Sequence, residues 1–99
     1  MKINKQNLAA LKHLCESHYV EHLYLFGSAT GSDFKPESDI DFLVRFKSFD
    51  LSKYFENYLD LKESLKRIFN REIDLVEEQT IKNPILKKSI DNNKKLIYG

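Results

Sequence analysis

The sequence predicts an α/β (α+β) domain of three to four strands and three helices, and two observations carry the prediction. Apolar runs of strand length, Leu23-Tyr24-Leu25-Phe26, Ile40-Asp41-Phe42-Leu43-Val44-Arg45-Phe46 and Ile73-Asp74-Leu75-Val76, alternate with longer segments whose apolar residues recur at helical spacing. At 99 residues the chain is expected to form one domain, 1–99, large enough for a single core and too small for a second one.

In order, Asn4 to Ser17 places Leu8, Leu11, Leu14 and Cys15 on one helical face, with Lys5, Lys12 and Glu16 outside it. Glu21 to Phe26 is an apolar and aromatic strand stopped by Gly27. Asp33 to Ser38, with Pro36, is a polar loop in which a helix is disfavoured. In the next strand alternation sends Ile40, Phe42, Val44 and Phe46 to one side, and Asp39, Asp41, Leu43 and Arg45 to the other. A long helix follows from Leu51 to Phe69, with Leu51, Tyr54, Phe55, Tyr58, Leu61, Leu65, Ile68 and Phe69 on its apolar face and Asp50 or Ser52 as N-cap. Glu72 to Val76 is the third strand. Asn83-Pro84 starts a helix running to Asp91 with Ile85, Leu86 and Ile90 repeating, and Leu96-Ile97-Tyr98 adds a short strand.

Composition excludes several classes. Sixteen basic and fifteen acidic side chains give a net charge of +1, so the broad basic footprint of a nucleic-acid binder is missing and direct binding to DNA or RNA is not favoured. No signal-peptide run or membrane span is apparent, and one cysteine cannot form an internal disulfide or a zinc site, so a cytoplasmic location is expected. Cys15 reads as a small core residue, and His13, His18 and His22 as surface or helix-end residues without chemistry. Lysines 82, 87, 88, 94 and 95 make the C-terminal end locally basic: a solvated face, or a docking surface for an acidic partner.

The acids carry the chemistry. Aspartate is poorly suited to strand interiors, yet Asp39, Asp41 and Asp74 stand in or at the mouths of apolar strands. Taken singly, each could cap a turn or pair with Arg45 or Arg71. If all three converge, each like-charge pair at about 4 Å costs on the order of 4 kcal/mol at an effective dielectric near 20. A cation between them removes that cost, and a few carboxylates with room for water and phosphate suit Mg²⁺ or Mn²⁺. Gly27 lets a phosphate approach the backbone, and the Ser28 hydroxyl with the N–H groups after it can donate to β- and γ-phosphate oxygens. A metal held by Asp39 and Asp41 would neutralise charge on a leaving pyrophosphate, and a second, shared with Asp74, would activate an acceptor hydroxyl for attack on the α-phosphorus, with Asp74 also available as general base.

Leu25-Phe26-Gly27-Ser28, ten residues, then Asp39-Ile40-Asp41 resembles the Gly-Ser, Asp-x-Asp signature of the polymerase-β-type nucleotidyltransferase superfamily. The element order resembles that of its smallest members, the stand-alone MNT-domain antitoxins found beside HEPN-domain toxins. The resemblance implies a small mixed sheet with helices packed mainly on one face. It implies metal-dependent transfer of AMP from ATP to a tyrosine hydroxyl of a partner HEPN toxin. Gly27 and Ser28 match the phosphate-binding turn, Asp39 and Asp41 the metal ligands, and Asp74 the third carboxylate. Many relatives carry Arg-Gly where this chain has Gly31 and Ser32, so a guanidinium contact to the triphosphate is missing, with Lys35 a substitute from the loop. Two alternatives remain: an antitoxin that neutralises its partner by binding alone, and transfer to a small molecule, for which so short a chain has little room to build a pocket. Association with itself or with another chain is left open.

Overall fold

The structure is a computed structural model that describes residues 3–27 and 39–99. Helix α1, Lys5–Ser17, opens on Asn4, whose Oδ1 accepts from Asn7 N–H at 2.7 Å. Strand β1 runs Val20–Phe26 and β2 Ile40–Phe46. A 3-10 turn at Leu51–Lys53, capped by the Asp50 carboxylate, leads into α2, Tyr54–Phe69, which ends on Asn70 in the left-handed region (φ 52°). Strand β3, Ile73–Glu77, precedes a second short turn, Glu78–Thr80. Helix α3, Pro84–Asn93, begins as expected at Asn83, whose Oδ1 accepts from the N–H groups of Ile85 and Leu86, and β4, Lys95–Tyr98, follows.

The four strands stand in the order β3-β2-β1-β4. β1 pairs antiparallel with β2 and β4, while β2 and β3 run parallel, with α2 as the crossover that parallel pairing requires. This is the mixed, four-stranded α+β sheet expected.

One face of the sheet holds the core. Leu23, Leu25, Ile40, Phe42, Val44, Phe46, Ile73 and Leu75 meet Leu11 and Cys15 of α1 and Leu61 and Leu65 of α2 in a single buried cluster. Burying each Leu, Ile or Phe contributes about 1.5–3 kcal/mol before chain entropy is counted. A polar tie adds register between the helices: His18 Nε2 lies 2.5 Å from Asp60 Oδ2, and Asn57 Nδ2 donates to the His18 carbonyl.

The second face carries Tyr24, Phe26, Asp41, Leu43, Arg45 and Asp74, as cross-strand partners of one another. To reach β4, the chain passes from one sheet edge to the other, and Lys94 marks the passage: its Nζ pairs with Glu78 at 2.9 Å and sits 4.3 Å from the Tyr24 ring centroid. Leu43 is fully buried on this face.

Some members of two expected apolar faces turn outward instead. Leu51 is 83% exposed because it lies in the 3-10 turn, at three residues per turn, and so falls out of phase with the buried stripe of α2; Phe55, also turned outward, is 70% exposed. In α3, Ile90 is buried, whereas Ile85 and Leu86 are exposed.

Candidate active site

The strand register brings two of the predicted acids together. Asp41 and Asp74 are direct partners across the parallel β2–β3 pair, and partners in register share a face. Asp39 stands just before β2, exposed, two residues from Asp41. Burial first, then the charge of Asp74, then that of Asp39 raises the Asp41 pKa above its ordinary value. Both neighbouring carboxylates thus bear on Asp41. Among the described residues no three His, Cys, Asp or Glu side chains enclose a cation by themselves.

Gly27 closes the third side. It ends β1 with φ +69°, where a side chain is strained, and a Cβ built on it would collide with Asp41 Oδ2. Phe26 is the β1 partner of Asp41, so the strand delivers the glycine directly against that carboxylate. The all-oxygen donor set fits a hard divalent cation, and Gly27 lets the Asp41 carboxylate lie directly against the backbone. Ser28, expected to donate to the phosphates, lies outside the described residues, as do Gly31, Ser32 and Lys35.

Of the two guanidiniums that offered a purely structural role for the acids, Arg45 is committed elsewhere. Arg45 pairs with Glu21 at 3.1 Å and Glu78 at 3.3 Å, toward the other end of the strands from Asp41.

Two sets of residues around the site escaped sequence reasoning. Ile40 N–H donates to the Glu72 carbonyl at 3.0 Å, so in this parallel pair residues 72, 74 and 76 face β2 and the Leu75 carbonyl points out at the sheet edge. Tyr58 of α2 donates its hydroxyl to that carbonyl, and Tyr54, one turn earlier, donates to Glu77. Tyrosines four residues apart on a predicted helix, each with a polar tip, were the available signal. The second set lies on α3: Leu86, Ser89, Ile90 and Asn93 form a cleft with Phe26 and Gly27. No spacing announces it, because it depends on the path of the chain from β3 to β4.

Comparison with known proteins agrees with this geometry. Residues 9–99 match the family described as polymerase beta, nucleotidyltransferase. A candidate protein adenylyltransferase of Methanocaldococcus jannaschii is 39% identical over 89 residues, covering 88% of this chain and 84% of that relative. A solved candidate minimal nucleotidyltransferase superposes with a TM-score of 0.76 at 23% identity, over 92% of this chain and 89% of that one. The solved complex of a tri-AMPylated HEPN toxin of Shewanella oneidensis with its MNT antitoxin includes a chain with a TM-score of 0.65 at 20% identity, over 98% of this chain and 73% of that one. At these identities the two structures show a shared fold. With the family match spanning nearly its whole length, the chain belongs to the polymerase beta nucleotidyltransferase family and is an enzyme of that family.

Proposed function

We propose that this chain transfers AMP from ATP to a tyrosine hydroxyl on a partner HEPN toxin in the cytoplasm and so acts as its antitoxin. The observation that carries the reading is the pairing of Asp41 with Asp74 across β2 and β3, with Gly27 packed directly against the Asp41 carboxylate. The protein-adenylyltransferase names of the relatives and the AMPylated toxin beside a structural neighbour support the acceptor class.

Asp39, Asp41 and Asp74 would hold Mg²⁺, or Mn²⁺ in its place, which when bound neutralises charge on the phosphate oxygens and the departing pyrophosphate. Gly27 admits the phosphates to the backbone, and Ser28 follows it in the turn. Asp74 takes the proton of the acceptor hydroxyl as the new oxygen–phosphorus bond forms at the α-phosphorus. The bond from that phosphorus to the pyrophosphate oxygen breaks, and pyrophosphate leaves.

The test is transfer of label from α-phosphate-labelled ATP, with Mg²⁺, to the partner protein. Label should appear on a tyrosine, and Asp41→Asn should abolish it; undiminished labelling by that variant removes the proposed site.

A second reading, neutralisation by binding alone, draws support from the exposed apolar residues Phe55 and Leu59 of α2 and Leu51 of the turn before it. It expects Asp39→Asn/Asp41→Asn to protect cells co-expressing the partner as well as the parent chain does.

A further inference from the structure

We infer that this chain associates with copies of itself head to tail, the acidic and apolar outer side of α2 on one copy seated on the basic and apolar outer side of α3 on the next. The contact draws on surfaces that the transfer reaction leaves unused.

Helix α3 is short of partners. Of its ten residues only Ile90 is buried, whereas Ile85 is 81% exposed and Leu86 51%. A helix of this length is marginal by itself and takes its stability from the packing of an apolar face. Ile85 lies in the wall of a shallow hollow of about 540 Å³, with Pro84, Lys88 and Asn92 around it. Among the described residues, the outer side of α3 is therefore an apolar seat without a cover.

The charge around that seat selects what fits it. Lys82 and Lys88 stand three residues to either side of Ile85, and with Lys87 they are exposed. No ion pair among the described residues engages any of the three. The single acid of the helix, Asp91, is taken by Lys94 at 3.0 Å. Uncompensated positive charge thus surrounds an apolar centre, and the complement is an apolar side chain flanked by acids.

Helix α2 carries that complement. Phe55 and Leu59 project from its outer side, and Glu56, Asp60 and Glu63 follow the same exposed side at intervals of four and three residues. Asp60 also holds His18, and Arg67, bonded to Ser64, closes the far end, so Glu56 and Glu63 lead the electrostatic match. The phenyl ring of Phe55 seats in the hollow beside Ile85, which brings its acidic neighbours toward the lysines.

The head-to-tail order follows from the sheet. α2 buries Leu61 and Leu65 in the core on one face, while Ile90 of α3 lies with Phe26 and Gly27 on the other. A two-fold dimer needs one self-complementary patch, and stripes on opposite faces do not form one. Their contact is heterologous, leaves a free stripe at each end, and continues. A contact one short helix wide falls below the roughly 1,200 Å² of a stable interface, so the association grows with concentration. A partner protein that takes the α2 stripe competes with the neighbouring copy for it.

The experiment is sedimentation equilibrium of the 99-residue chain from about 10 µM to about 1 mM, at about 0.05 M and about 0.5 M salt. At low salt the mean mass should climb past that of two chains without levelling, and high salt should weaken association about tenfold or more. Phe55→Ser and Ile85→Ser alter exposed positions, should keep the urea midpoint of the parent, and should each weaken association about tenfold or more. Mixed in equal amounts, the two variants retain one intact pairing, the α2 stripe of the Ile85→Ser chain on the α3 stripe of the Phe55→Ser chain. The mixture should therefore reach two chains and stop. Lys88→Glu keeps every apolar contact and should weaken association at low salt while matching the parent at high salt. A parent chain that stays single throughout overturns the inference, as does one whose mass levels at two chains. Association that neither Phe55→Ser nor Ile85→Ser weakens overturns it, and so does a mixture that associates no better than either variant alone. A partner toxin held through Phe55 by a chain that does not self-associate gives the α2 stripe to that partner and overturns it as well.

Discussion

The Asp41 carboxylate fills the space that a Cβ on Gly27 would need. The strand end and the acid are thus fitted to each other, and either a larger residue at 27 or a displaced carboxylate at 41 breaks the arrangement. Gly27→Ala should lower AMP transfer by about a hundredfold or more, the scale of loss when reacting groups are shifted by about 1 Å. It should also cost about 1–2 kcal/mol of stability from the left-handed backbone alone. Urea denaturation alongside the labelling assay separates the two effects, since so modest a stability loss leaves the chain folded.

Asp41 opposes stability in the metal-free chain. Its pKa is raised in the fold, by burial first and then by Asp74 and Asp39. Unfolded, it loses its proton near the ordinary aspartate value of about 3.9. Between that value and the raised one the native chain binds more protons than the unfolded chain, so stability falls as pH rises through the window and stays lowered above it. Asp41→Asn should therefore raise the urea midpoint of the metal-free chain at pH 7 while abolishing transfer. The gap should close below about pH 4, where both states hold the proton. A midpoint at pH 7 below that of the parent chain would refute the reading.

Tyr58 ties α2 to the strand that bears Asp74. The Leu75 carbonyl it engages lies at an open sheet edge, one residue beyond the acid. Tyr58→Phe keeps the ring and removes the hydroxyl, at an expected cost of about 0.5–1.5 kcal/mol. Amide hydrogen exchange should accelerate along Ile73–Glu77 more than in the central strands β1 and β2. Equal exchange in all three strands would show that the tie does not hold the edge.

These cases mark what the sequence made legible. Asp41 and Asp74 each stand in an apolar frame of period two, so their face could be read, and their convergence followed once β2 and β3 paired in parallel. The Asn83-Pro84 start of α3 was equally plain, because capping is a local matter settled within three residues. The Tyr58 bond was not, since an unpaired carbonyl on Leu75 exists only when β3 is an edge strand. Nor was the outward turn of Leu51 and Phe55: periodicity says which residues share a helix face, and packing decides which faces are covered. The cleft at Gly27 belongs to the same class, as it depends on where a 10-residue helix is laid down after the chain leaves β3.

Cys15 should be chemically silent. It is fully buried, and burial, with a smaller contribution from Glu16, pushes the thiol up to about 12. At pH 8 the native chain should react with a thiol reagent only as fast as it opens globally, and urea should accelerate labelling in proportion to unfolding. Cys15→Ser should cost about 1–3 kcal/mol, for a hydroxyl placed among apolar neighbours. Rapid labelling under native conditions would place the thiol at the surface instead.

Phe55 and Leu59 stand four residues apart along one side of α2 and, with Leu51 of the turn that precedes it, remain exposed, although the same helix buries Leu61 and Leu65. Removing apolar surface that the fold leaves in water should not harm the fold, so Phe55→Ser should shift stability by no more than about 0.5 kcal/mol. If this row is where a partner protein docks, the same change should weaken that complex about tenfold or more, because large exposed side chains near the centre of an interface carry most of its energy. Measured by titration of the parent and Phe55→Ser chains with the partner toxin, the loss should appear with Asp41→Asn as background too, since docking and phosphoryl transfer draw on different residues. Equal affinity of the two chains would move the docking surface elsewhere, with the basic end of α3 at Lys87 and Lys88 as the next place to substitute.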